Sequence, residues 1–96
     1  MSKKIINLHK ELIEDELRTD IIDLEKKCEF GQQFIYLFWY EENGTVKYSV
    51  ARVVGNEYVS LGMPYDNKKD TKEMVEEFCE IAKDEDNYDG SIPSVE

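Results

Sequence analysis

Along the first thirty residues, apolar side chains recur at Ile6, Ile13, Leu17, Ile21, Leu24 and Cys28, at steps of seven, four, four, three and four. Steps of three and four place side chains on one helical face, so the pattern predicts helix from Lys3 to Glu29. Ile5, Leu8 and Leu12 lie beside this stripe and widen the buried face of the early turns. Lys26 and Lys27 suit a last helical turn, and Gly31 suits the residue just past it. One unbroken helix of that length would run roughly 40 Å, more than a small sheet covers. A break near Thr19–Asp20 is therefore expected; without one, the overhang would pair with a second copy.

The middle of the chain, QQFIYLFWYEENGTVKYSVARVVGNEYVSLGM, holds three β-rich runs separated by Asn43-Gly44 and Gly55-Asn56. An Asn-Gly pair suits a two-residue hairpin loop because both positions need positive φ, and Gly-Asn suits a second tight turn. These loops set Leu37 opposite Val50, Trp39 opposite Tyr48 and Val50 opposite Leu61. One face then carries Ile35, Leu37, Trp39, Val46, Tyr48, Val50, Val59, Leu61 and Met63, and is the expected core face. The other carries Phe34, Tyr36, Phe38 and Tyr40 beside Ser49, Ala51, Val53, Tyr58 and Ser60. That row is too apolar for plain solvent exposure. Either the first helical segment or the tail covers it, or it is an interaction surface, most simply for dimerisation.

After Pro64, Thr71 to Lys83 reads as a second helix, with Asp70 and Glu73 resembling a capping box. Met74, Val75, Phe78, Ile81 and Ala82 face inward, with Cys79 near the edge. The predicted fold is a two-layer α+β domain in the order α-β-β-β-α, a three-stranded antiparallel meander packed against helices. It spans residues 1–83, followed by an acidic tail over 84–96.

Ninety-six residues suffice for one modest core but not for a deep cleft with a second lobe. Apolar runs are too short to cross a bilayer, and the N-terminal alternation of apolar and charged residues does not resemble a secretory signal. A cytoplasmic location is expected. Cys28 and Cys79, isolated and without C-x-x-C spacing, read as buried free thiols. The formal charge of −10 is uneven. Residues 1–33 carry six basic and eight acidic groups, residues 34–63 two and three, and residues 64–96 four and eleven. A surface so acidic excludes nucleic acid as a general partner and favours a basic one.

Catalysis is not expected. The single histidine, His9, falls in an early helical turn with no cysteine or serine beside it in sequence, and is expected at the surface. No nucleophile elbow, glycine-rich phosphate loop or H-E-x-x-H motif is present. Read from Glu85, EDNYDGSIPSVE sets oxygen ligands at Glu85, Asn87, Asp89 and Glu96, with Gly90 at the sixth position. That stretch resembles an EF-hand calcium loop. Its departures are glutamate at the first position, Pro93 at the ninth and no second loop. Calcium binding through these four residues is the alternative function. A structural, homo-oligomeric subunit is a third.

The α-β-β-β-α order, with Lys68, Lys69 and Lys72 near the start of the last helix, also resembles double-stranded RNA-binding domains. Here acid follows each lysine group in NKKDTKEMVEEF, which opposes phosphate binding. The acid itself forms the leading candidate site. Glu73, Glu76, Glu77, Glu80, Asp84, Glu85, Asp86 and Asp89 make a ridge running from the helix into the tail. A line of carboxylates at helical pitch can imitate a phosphate backbone and occupy a basic channel. In size, acidity and layout, the chain resembles small phage-type anti-CRISPR and anti-restriction inhibitors that act as DNA mimics. The resemblance implies a non-enzymatic inhibitor, cofactor-free, docking on a nucleic-acid-binding nuclease in the host cytoplasm.

Overall fold

The computed structural model describes the backbone of residues 2–88 and the side chains of residues 5–86. Helix α1 (Ser2–Leu17) leads into strands β1 (Asp23–Phe30), β2 (Gln33–Glu42), β3 (Thr45–Val54) and β4 (Glu57–Leu61). A 3-10 turn (Lys68–Thr71) then opens helix α2 (Lys72–Tyr88). The four strands form one antiparallel sheet in the order β1-β2-β3-β4. The α+β class stands; the sheet has four strands rather than three.

The helix expected over residues 3–29 stops at Leu17. Arg18 takes φ 62°, and its N–H donates to the Glu14 carbonyl at 2.7 Å. The Glu14 carboxylate accepts the Ile21 N–H at 2.9 Å, and the chain turns into the sheet. The break falls near Thr19, as anticipated, but a strand follows it. Strand β1 hid its period of two because a bulge shifts its pairing between Lys26 and Cys28. An extra residue of this kind flips everything beyond it to the opposite face. Leu24 therefore faces one side of the sheet and Cys28 the other, at a spacing of four that imitates a helix. Charged side chains at an open edge strand also discourage pairing with foreign strands. Gly31, read as a helix cap, occupies the β1–β2 turn, where the same positive φ is needed, here 62°.

The Asn43-Gly44 loop holds φ 54° and 82° and joins Glu42 to Thr45 as paired neighbours. Leu37 lies opposite Val50 and Trp39 opposite Tyr48. Between β3 and β4, a second register shift near Val53 sets Leu61 opposite Ala51 instead of Val50.

The two helices cover opposite faces, making three layers rather than two. Helix α1 lies on the aromatic row: its Ile13, with Ile21 from the connection to β1, packs with Tyr36, Phe38, Tyr40, Ala51 and Val53, with Phe34 against their margin. Tyr36, Phe38 and Tyr40 are thus core and Phe34 is half-buried against it, so the row is covered rather than presented as a docking or dimer surface. His9 is fully buried there rather than exposed. Its Nε2–H donates to the Gly55 carbonyl at 2.7 Å, an oxygen that can only accept. That leaves Nδ1 to accept the Tyr36 hydroxyl at 2.8 Å.

Burial, with a lesser contribution from the Glu29 charge, pushes the Tyr36 pKa up to about 12. Burial also raises Tyr40 and Tyr58. A phenol whose folded pKa exceeds its unfolded value contributes stability that is complete below the unfolded value of 10.0 and lost as pH climbs through the folded one. Melting temperature should therefore hold to about pH 10 and fall steadily above it. Circular dichroism melts would show this, and Tyr36→Phe should flatten the decline. A wild-type melting temperature that stays level across that window would contradict the buried phenol.

Helix α2 covers the second face. Ala82 packs on Ile35, Leu37 and Val50, with Met74, Val75, Phe78, Cys79, Phe30 and Tyr48 around them. Ile81, expected inward, is exposed. Cys28 and Cys79 are not free thiols: a disulfide joins them, tying β1 to α2. The β1 bulge makes this bond possible by aiming Cys28 at the helix. Capping starts earlier than the Asp70–Glu73 reading. Asn67 is the N-cap, its Oδ1 accepting the Asp70 N–H at 2.9 Å, while the Asp70 carboxylate accepts Asn67 Nδ2–H at 2.9 Å.

Candidate functional site

Helix α2 is amphipathic at a step of about 100° per residue. Met74, Val75, Phe78, Cys79 and Ala82 share the face toward the sheet. Glu73, Glu76, Glu77, Glu80 and Asp84 share the opposite one, and all five are exposed. Among the described residues, no lysine or arginine stands within ion-pair distance of any of the five. The stripe covers eleven helical steps, about 16 Å, or about 4 Å of axis per charge. Phosphates along one DNA strand repeat at about 3.4 Å.

The other half of the expected ridge is organised differently. Glu85 and Asp86 lie more than about 100° round the helix from Glu73, on the side toward the sheet. Glu85 accepts from the Arg52 guanidinium at 2.7 Å and from Gln33 Nε2–H at 3.3 Å. Arg52 also donates to Gln33 Oε1 at 2.9 Å. Asp86 abuts the β1–β2 turn so closely that a Cβ at Gly31 would collide with its carboxylate. Glu85 thus fastens the end of α2 to the sheet, and Asp86 packs against the turn instead of projecting outward. Asp89 lies outside the described residues.

The expected calcium loop begins at Glu85, but α2 continues through Tyr88, so the first four loop positions are helix. The Glu85 carboxylate is engaged by Arg52. The Asn87 side chain, Asp89 and Glu96 lie outside the described residues. Among the described residues, no three Asp, Glu, His or Cys groups converge to hold a metal ion.

Two features of the helix surroundings were missed from sequence. The disulfide joins residues 51 apart, and no local spacing announces it. Glu25 and Lys27, assigned to the first helix, instead stand on β1 beside the start of α2. There Lys68 donates to Glu25 at 2.8 Å, and Lys27 lies 3.6 Å from the same carboxylate. The hydrogen bond from Lys68, foremost, holds Glu25 below the usual carboxylate range.

No family model matches this chain, and no curated protein or solved structure matches it. Among the described residues, no helix is long and apolar enough to cross a membrane.

Proposed function

We propose that the protein is a non-enzymatic binding protein that presents the outer face of α2 to a basic surface on a partner, most concretely the nucleic-acid channel of a nuclease, and so blocks it. The observation that carries this reading is the stripe Glu73, Glu76, Glu77, Glu80 and Asp84: exposed, aligned and in no ion pair among the described residues. Unneutralised charges repel one another and cost stability, so an unpaired stripe is most useful to a cationic partner. The disulfide and the Arg52–Glu85 pair hold the helix at both its middle and its end. A ligand held rigid loses less entropy on docking. Residues 64–96, with four basic and eleven acidic groups, carry most of the −10. That asymmetry gives long-range steering a direction.

Reversing Glu73, Glu76, Glu77 and Glu80 to lysine tests the reading. Wild-type protein should capture a basic host protein at low salt, release it at high salt, and displace duplex DNA from it. The reversed variant should associate at least about tenfold more slowly and leave the DNA bound. Equal capture and displacement by the two proteins would remove the proposal.

A further inference from the structure

Where β1, β2 and the start of α2 meet, a cavity of about 270 Å³ opens to solvent. Leu37 and Val75 line its floor, and Lys27, Lys68, Lys69 and Lys72 stand around it. In a chain with twelve basic residues and a formal charge of −10, four lysines at one cavity run against the composition of the whole. The gathering is tertiary: Lys27 arrives from the β1 bulge, the other three from the 3-10 turn and the first residue of α2.

Charge is not balanced inside this cluster. Glu25 serves Lys68 and Lys27 together, and Glu76 lines the cavity as its one acid. Four lysines against those two carboxylates leave a formal surplus of two positive charges. Among the described residues, neither Lys69 nor Lys72 makes an ion pair. The floor is apolar, so a bare inorganic ion would leave it unfilled, whereas apolar surface buried there adds about 25 cal/mol per Å². A pocket with an apolar floor and a few convergent polar groups is the usual form of a small-ligand site.

We propose that this cavity binds a small organic phosphate monoester, its apolar or aromatic group seated on Leu37 and Val75 and its dianionic head held by Lys69, Lys72 and Lys68. A long polyanion such as duplex RNA is disfavoured at the same lysines, because Glu73, Glu76 and Glu77 follow within two helical turns and repel an extended backbone. A compact dianion meets only Glu76 of the three, because Glu76 lines the cavity and Glu73 and Glu77 do not. The structure also supplies a reporter. Lys68 Nζ stands 5.3 Å from the centroid of the Trp39 ring, and Trp39 is the sole tryptophan. A phosphate that draws Lys68 toward itself changes the charge over that ring and hence its emission.

The test titrates the full chain with phenyl phosphate at low salt, following Trp39 fluorescence and amide shifts of residues 68–76. Saturable binding is expected at or below the millimolar range, weakened about tenfold by K69Q/K72Q together. Inorganic phosphate should bind several-fold more weakly, and Lys83→Gln, a lysine of α2 outside the cavity, should leave binding unchanged. No saturation by about 10 mM phenyl phosphate would overturn the proposal. So would equal loss in Lys83→Gln, equal affinity for inorganic phosphate, or a duplex RNA that binds these lysines more tightly than phenyl phosphate does.

Discussion

Reduction of the Cys28–Cys79 bond, or its removal in a C28A/C79A protein, is expected to lower the unfolding free energy by about 4 kcal/mol. The cross-link closes a segment with a sequence separation of 51. Loop-closure entropy for a chain of that length gives about 4 kcal/mol at room temperature. For a domain of this size, a loss that large lowers the melting temperature by about 20 °C. The effect should be uneven. The bond fastens α2 to the edge strand β1, whereas β2 and β3 are held by a ten-pair ladder and two buried clusters. Hydrogen exchange should therefore rise first in α2 and β1 and last in β2 and β3. Urea titrations with and without reductant read the total. Oxidised and reduced curves that differ by less than about 1 kcal/mol would show that the tether carries little of the stability.

His9→Leu should cost about 3 kcal/mol, although it places a larger apolar side chain in an apolar layer. The imidazole is fully buried and satisfies two partners at once, the Tyr36 hydroxyl and the Gly55 carbonyl. Leucine would orphan both, and each unsatisfied buried group costs about 1–3 kcal/mol. The ring also meets Phe34 edge-on, centroids 4.8 Å apart, a contact leucine does not reproduce. Tyr36→Phe alone should cost about 1 kcal/mol, since it leaves only the imidazole acceptor unpaired. The double variant should cost less than the sum of the two, by about 1 kcal/mol, because the shared bond is counted in both singles. Strict additivity in chemical denaturation would mean that the His9–Tyr36 bond contributes nothing. The same histidine ties α1 to the β3–β4 turn across 46 residues. Its loss should therefore loosen α1 over the aromatic row before it affects α2.

Local chemistry made the two central hairpins legible. Asn43-Gly44 and Gly55-Asn56 encode their turns within two residues, and the turn then sets which side chains face each other. The β2–β3 pairing follows from that alone. The β3–β4 pairing departs at a bulge, where one extra residue cancels the alternation. The same cause concealed β1, whose bulge gives Leu24 and Cys28 a helical spacing while they sit on opposite faces of a strand. Gly31 misled for a related reason: positive φ serves a helix cap and a hairpin equally. Of the acidic ridge, Glu73, Glu76, Glu77, Glu80 and Asp84 were readable because helical periodicity assigns them the side opposite Phe78 and Ala82. Glu85 and Asp86 were not, because their partners Arg52 and Gly31 come from strands far away in the chain.

By itself, then, the amino-acid order determined an α+β chain with two amphipathic helices, tight turns at Asn43 and Gly55, and an acidic stripe along the last helix. Each of these depends on residues within about two turns of one another. Tertiary structure alone decided that the helices take opposite faces of the sheet, that His9 and the aromatic row are interior, that Cys28 meets Cys79, and that four lysines gather at one cavity in an acidic protein. Those outcomes join residues tens of positions apart. A one-residue bulge reverses which face a side chain takes, and no local pattern records where the chain will absorb that extra residue.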